Sequence, residues 1–247
     1  MSTPMLKVES ISGLISVIQS VTGRPTQVWY RGQSNISWSL LPTLIREPNG
    51  LNAEMTLIKR FKQNAVHIAS YADYTEWDWL FLMQHHGLPT RLLDWTESPL
   101  VALYFAVSFC PDSDGALYCL NPMSLNKESG IDFKFDEELP CFDVDEDLDG
   151  YLPSSVAREK TSRSRPVAAL ALRRAPRHYA QMGVFTVFHR DDTPLDNVSS
   201  GKHVSKFIVP KEAKQKLSEE LNLLKINEMT LFPELDRIAK YSKEVLR

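Results

Sequence analysis

The sequence predicts an α+β fold in which a mixed or antiparallel sheet is surrounded by helices. Three observations lead there. Some segments carry apolar residues at helical spacing, and others are short runs rich in aromatic and β-branched residues. The two kinds do not alternate in the regular strand–helix–strand order that builds a parallel sheet. With 247 residues, 43% of them hydrophobic, the chain can bury one large core, and no repeat or heptad pattern points to a solenoid or coiled coil.

Taken in order, Val8, Ile11, Leu14, Ile15 and Ile18 form one face of an opening helix that Gly23 and Pro25 end. Gln27 to Arg31 (QVWYR) reads as a strand, with Gly32 as its break. Asn52 caps a second helix, with Glu54 in its first turn and Leu57, Ile58, Phe61, Ala65 and Ile68 on one face. A third helix starts from a Thr75/Asp78 capping pair, carries Trp79, Leu80, Leu82 and Met83, and stops at Gly87 and Pro89. Ser98 before Pro99 announces another start, and Leu100 to Phe109 is apolar almost all round, so this helix is expected to be buried. Gly115 to Leu120, Gly183 to Phe188 and Val204 to Val209 read as strands. Two helices close the chain, one over Ala213 to Leu224 and one from Pro233 using Leu235, Ile238 and Val245. The whole, 1–247, reads as a single domain. At about 127–160 it carries an acidic stretch, with Asp143, Asp145, Glu146, Asp147 and Asp149, that reads as a solvated or mobile insertion. Basic residues from Arg158 to Arg177 follow it.

Charge is nearly balanced, 28 Lys+Arg against 31 Asp+Glu, so bulk attraction to nucleic acid or to a membrane is not the organising principle. Cys110, Cys119 and Cys141 form no CxxC pair and no zinc spacing, which fits a reducing compartment. No signal-peptide pattern and no membrane-spanning run is present, and a cytoplasmic protein without membrane partners is expected.

Three polar constellations stand out. In Tyr30-Arg31-Gly32-Gln33, an arginine beside a glycine can meet a phosphate or carboxylate; alternatively it is buried against Asp94. In the second, Gly87 and Pro89 make a sharp bend, and Thr90-Arg91-Leu92-Leu93-Asp94-Trp95 then leads past Thr96 to the cap at Ser98. There the free N–H groups of a helix start can hold an anion, or Ser98 and Thr96 only cap and turn. His85 and His86, adjacent near a helix end, point about 100° apart and cannot readily chelate one ion, so no metal is predicted. In the third, Arg177-His178 and the residues to Phe185 form a polar turn feeding a strand, either site residues over a sheet or a plain basic connector.

"YRGQ", then "QHHGLPTRLLDWTESPLVALYFA", then "AQMGVF" resemble the FRG domain from Trp29 to Phe188, and "TLFPELDRIAKY" resembles the family's close. More distantly, the order resembles ADP-ribosyltransferases of the Arg-Ser-Glu type. That resemblance implies NAD as substrate, Arg31 as the NAD-contacting arginine, Thr96 and Ser98 in the Ser-Thr-Ser strand, and Gln181 opening the final turn. The family's turn glutamate falls on Gly183, so a carboxylate would come from Glu97, Glu234 or Asp94. Expected catalytic residues are Arg31, Thr96 and Gln181. Expected ligand contacts are Tyr30, Arg31, Gly32, Gln33, His86, Arg91, Asp94, Trp95, Thr96 and Ser98. The function expected is binding of NAD or a related nucleotide, with cleavage of the nicotinamide–ribose bond, in a role that would suit a toxin or phage-defence protein. The alternatives are a non-catalytic module for nucleotide, nucleic acid or protein, and a nucleic-acid-processing enzyme using His85, His86 and the basic stretch.

Overall fold

The computed structural model describes residues 6–21, 27–68, 73–131, 138–159, 163–199 and 201–243. It is an α+β fold. After α1 (Ile11–Val21) comes β1 (Trp29–Gln33), then α2 (Thr43–Arg46), α3 (Gly50–Ala65) and α4 (Glu76–His85). β2 (Leu92–Thr96) leads into α5 (Pro99–Val107), β3 (Gly115–Leu120) and α6 (Pro122–Glu128). α7 (Pro153–Arg158), β4 (Val167–Ala169), α8 (Pro176–Ala180), β5 (Gly183–Val187) and β6 (Val204–Val209) follow. α9 (Lys214–Leu223), α10 (Glu228–Leu231) and α11 (Leu235–Ser242) complete the described chain.

The six strands form one antiparallel sheet in the order β4-β5-β2-β1-β3-β6. Its pleat sends alternate residues to opposite faces. Trp29, Leu93, Trp95, Tyr118 and Val184 pack on one face with the loops around Leu40 and Leu195. The other face is covered in two blocks. α1, α5 and α9 lie over Tyr30, Leu117, Cys119 and Phe207, while α3 and α4 lie over Leu92, Val167, Phe185 and Val187. Between the blocks the sheet is also at its weakest. β1 and β2 share one registered pair, Tyr30 opposite Thr96, where β1–β3 and β2–β5 each share five.

Local signals explain several elements. Thr75 and Asp78 form the capping box of α4, with Asp78 N–H donating to Thr75 Oγ1 at 3.0 Å and Thr75 N–H to Asp78 Oδ2 at 3.2 Å. Ser98 caps α5 and Pro99 occupies its first turn.

Other expectations are corrected. β1 does not break at Gly32 but runs through it to Gln33. Here glycine serves contact, not a turn: an added Cβ would lie 1.8 Å from the Ala102 carbonyl oxygen, so only glycine lets α5 cross β1 this closely. α3 begins at Gly50, with Asn49 rather than Asn52 at its cap, and it ends at Ala65, leaving Ile68 exposed. Leu92 to Thr96, which the residues alone present only as the approach to the Ser98 cap, is a strand. Finally, the described part of the acidic stretch is not wholly solvated. Within its described part, Phe142, Leu148 and Tyr151 are buried in the block beneath α3 and α4, and Phe142 packs on Trp77 at 4.6 Å between ring centroids. Its acidic residues line the outside of a segment that supplies core. Gly23, Pro25, Asp136, Glu137, Lys160 and Val245 lie outside the described residues.

Candidate functional site

The seam between the two helical blocks opens into a solvent-facing cleft of about 210 Å³. β1 contributes Tyr30, Arg31 and Gly32, and β2 contributes Asp94, Trp95 and Thr96. α5 supplies an apolar wall of Val101, Ala102 and Phe105, and α4 supplies Gln84 and His85 opposite. Arg177 and His178 of α8, with Gln181 just after it, close the third side.

Arg31 is the central group. Its strand parity places it with Trp29, and it reaches across the seam where β1 and β2 part. Nη1 donates to the Asp94 carbonyl at 2.6 Å, while Nε is buried without a partner. Burial and Arg46 pull its pKa down while Asp94 pulls it up; a guanidinium remains charged throughout the physiological range. The guanidinium is thus held at the cleft by a neutral carbonyl rather than consumed by a carboxylate. Asp94 is exposed and its Oδ1 accepts from Gln84 Nε2 at 2.7 Å.

Arg177 is the second cation. Its guanidinium stacks over Phe232 at 4.6 Å and lies 4.0 Å from Glu234, whose carboxylate oxygens are buried and make no hydrogen bond. That long pair neutralises Arg177 only in part. The same Glu234 lies 3.9 Å from His85 Nε2. Burial, and then Arg177 and His86, lower the pKa of His85; burial chiefly lowers that of His178, which Asp94 raises in part. Both imidazoles are therefore neutral near pH 7, able to donate and accept hydrogen bonds.

The remaining expected residues fall into distinct positions. Tyr30 lines the cleft from within the core, and burial raises its hydroxyl pKa to about 12. Thr96 lines it too, but its hydroxyl donates to the Gln181 carbonyl at 2.6 Å and accepts from Ser98 N–H at 3.0 Å, so it builds the turn. Gln181 sits at the edge, its amide donating to the Leu231 carbonyl at 3.0 Å, which ties the C-terminal segment to the cleft.

The other five expected ligand contacts, of which only Trp95 lines the cleft, are engaged elsewhere or lie beyond it. Arg91 is wholly buried: Nε and Nη2 bind both carboxylate oxygens of Glu54, and Nη1 donates to the carbonyls of Phe188 and His189. With every partner internal, it is a structural residue. Trp95 points its ring into the opposite core and donates Nε1–H to Thr186 Oγ1 at 3.2 Å, so it offers no open face for stacking. Gln33 is buried and turned toward the Ser39 carbonyl. His86 is exposed beyond the cleft, and its neighbour His85 is the histidine that lines it. Ser98 accepts from Val101 N–H and its carbonyl accepts from Ala102 N–H, so the α5 start is capped from within and is no open anion cradle. Of the three candidate carboxylates, Glu97 is paired with Arg173, Glu234 sits behind Arg177 and His85, and Asp94 lines the cleft. Gly183 pairs with Thr96 beside the cleft; a Cβ there would make only an ordinary 3.6 Å contact with the His178 carbonyl, so the backbone does not require glycine.

Much of the basic stretch is engaged within the fold. Arg173 and Arg174 pair with Glu97 and Asp78, and Arg165 donates to the Glu128 carbonyl and Ser199. Among the described residues no helix is long and apolar enough to cross a membrane. Sequence reasoning did not place Gln84 or Phe105 at the cleft, or Phe232 beneath Arg177, although all three lie in the runs that carry the family resemblance.

No curated protein and no solved structure matches the chain. A family model does, across the segment that holds β1, the α4–β2 junction and α5, and it ends before β3. The YRGQ strand and the long polar run that together build the front of the cleft thus lie inside the match, which is to the FRG domain model over residues 26–114 of this chain.

Proposed function

We propose that the cleft binds NAD or a related nucleotide, with its phosphates held between Arg31 and Arg177. One observation carries the reading: Arg31 faces an open cleft with a buried, unpartnered Nε and a carbonyl rather than a carboxylate as its fixed partner. A guanidinium so placed has donors left for phosphate oxygens and a charge that no neighbour neutralises fully. The apolar wall of Val101, Ala102 and Phe105 suits the ring or ribose beside the phosphates. In the enzymatic form of this reading, Asp94 stabilises positive charge developing on the ribose as the nicotinamide–ribose bond breaks, and water or a target group takes the ribose. Neutral His178, which lines the cleft together with Asp94, accepts the proton of that nucleophile in this reading. Such NAD consumption would suit a toxin or phage-defence role.

A specific observation favours a second reading, binding without turnover. Gly183 lacks a side chain where the ADP-ribosyltransferase resemblance places its glutamate, and Glu97 is occupied by Arg173. The two are separated by titrating NAD calorimetrically into wild type and Arg31→Ala, then following nicotinamide release over prolonged incubation. Heat in wild type that Arg31→Ala abolishes supports the site, and release of nicotinamide decides for the enzyme. A wild type that gives no heat with millimolar NAD removes both forms.

A further inference from the structure

Beyond the wall formed by His85 and His178 lies a second cavity, of about 490 Å³, between α4 and the 172–178 segment. These two histidines line both cavities, so the spaces adjoin across a single layer of neutral imidazole. The chemistry of the second cavity differs from that of the first. Phe81 stands edge-on to His178 at 5.4 Å, Tyr74 and Leu172 are partly exposed at its lip, and Leu82 adds further apolar surface. Its one arginine, Arg174, is held by both oxygens of Asp78 at 3.0 Å, and Asp73 adds a further carboxylate. Among the described residues no unneutralised arginine or lysine lines the space, so an anionic group is disfavoured there. Edges and faces of aromatic rings are what a planar ring meets.

Resting on the nucleotide reading above, we propose that the ligand is two-ended. Its anionic group lies with Arg31 and Arg177, and a planar ring carrying no negative charge lies in the second cavity, joined past His85 and His178. At about 210 Å³ the cleft alone is smaller than the roughly 300 Å³ at which small-molecule sites usually begin, so a dinucleotide there extends beyond it. The second cavity is thus the feature that selects an extended ligand over a mononucleotide or a free phosphate.

The test uses two probes on the full chain: inorganic pyrophosphate, which has only the anionic part, and NAD, which has a ring at each end. Both are titrated calorimetrically against wild type, Tyr74→Ala, Leu172→Asp and Arg31→Ala, with thermal melting as a folding control. The expected pattern is a loss of about tenfold or more in NAD affinity for Tyr74→Ala and for Leu172→Asp, unchanged pyrophosphate affinity in both, and loss of both ligands in Arg31→Ala. NAD binding that the two lip variants leave unchanged, or an equal loss of NAD and pyrophosphate, overturns the two-ended ligand while leaving the nucleotide site standing. A wild type that binds neither probe at millimolar concentration overturns the nucleotide site as well.

Discussion

Two arginines of this chain, Arg31 and Arg91, stand in similar sequence surroundings and in opposite physical situations. Arg91 is sealed in the block over β2, β5 and β4, and both oxygens of Glu54 and two carbonyls surround it. Arg31 lies in the seam between the blocks, bound to one carbonyl and otherwise facing a cleft. The difference teaches that a motif arginine is assigned by what its donors already hold. A guanidinium whose donors are all matched internally fixes the fold; one with donors left over beside open space can take a ligand.

The largest expected effect tests the sealed side. Arg91→Ala leaves the Glu54 carboxylate buried without its partner, so denaturant unfolding should show a loss of about 3–5 kcal/mol. A loss below about 1 kcal/mol would mean that the pair is not sealed. Arg31→Ala should behave in the opposite way. Removing its hydrogen bond to the Asp94 carbonyl costs about 1 kcal/mol of stability, whereas nucleotide affinity should fall roughly 10- to 100-fold, the loss expected for a charge-assisted bond. Equal stability losses for the two variants would erase the contrast.

Acid sharpens the same comparison. Burial lowers the pKa of His85 and His178 at the cleft, and burial with Arg91 lowers that of His189 on the sealed side. In each case the unfolded chain takes up protons first as pH falls below the ordinary histidine value of 6.5. The stability these groups contribute is therefore fully present above that pH and declines below it. Melting temperature should fall on acidification from pH 6.5. Nucleotide affinity should rise over the same range, because protonated His85 and His178 add positive charge around a phosphate. Binding and stability that decline together would contradict the placement of these histidines at the cleft. The smallest effect belongs to Gly183→Ala, which should shift stability by less than about 1 kcal/mol, since the added methyl meets only ordinary contacts. A larger loss would show that the seam beside Thr96 has no room for a side chain.

Much of the frame was legible in the residues because its signals are local. The Thr75/Asp78 box, the Ser98-Pro99 start and the β3, β5 and β6 runs each act within a few positions. β2 was harder to read because four of its five residues are buried, which leaves no alternation. β4 is three small or β-branched residues, all buried, too short for any period. The acidic stretch misled because charge dominates its composition while Phe142, Leu148 and Tyr151 do its packing.

The site was legible in outline only. Arg31, Asp94, Thr96 and Gln181 do converge on one cleft, from strands and turns far apart in sequence. What separated Arg31 from Arg91 was Glu54, 37 residues away from Arg91. A signal for it existed: Glu54 shares the apolar stripe of Ile58 and Phe61, and a carboxylate on a buried stripe needs a buried cation. The choice between His85 and His86 turned on a rotation of about 100° at the end of α4, which composition does not reveal.

A crystal structure of the protein soaked with NAD tests the central claim most directly. The account predicts phosphate oxygens within hydrogen-bonding distance of the Arg31 guanidinium, on the side of the seam shared with Arg177. A dinucleotide bound elsewhere on the molecule, with Arg31 still holding only the Asp94 carbonyl, would contradict it.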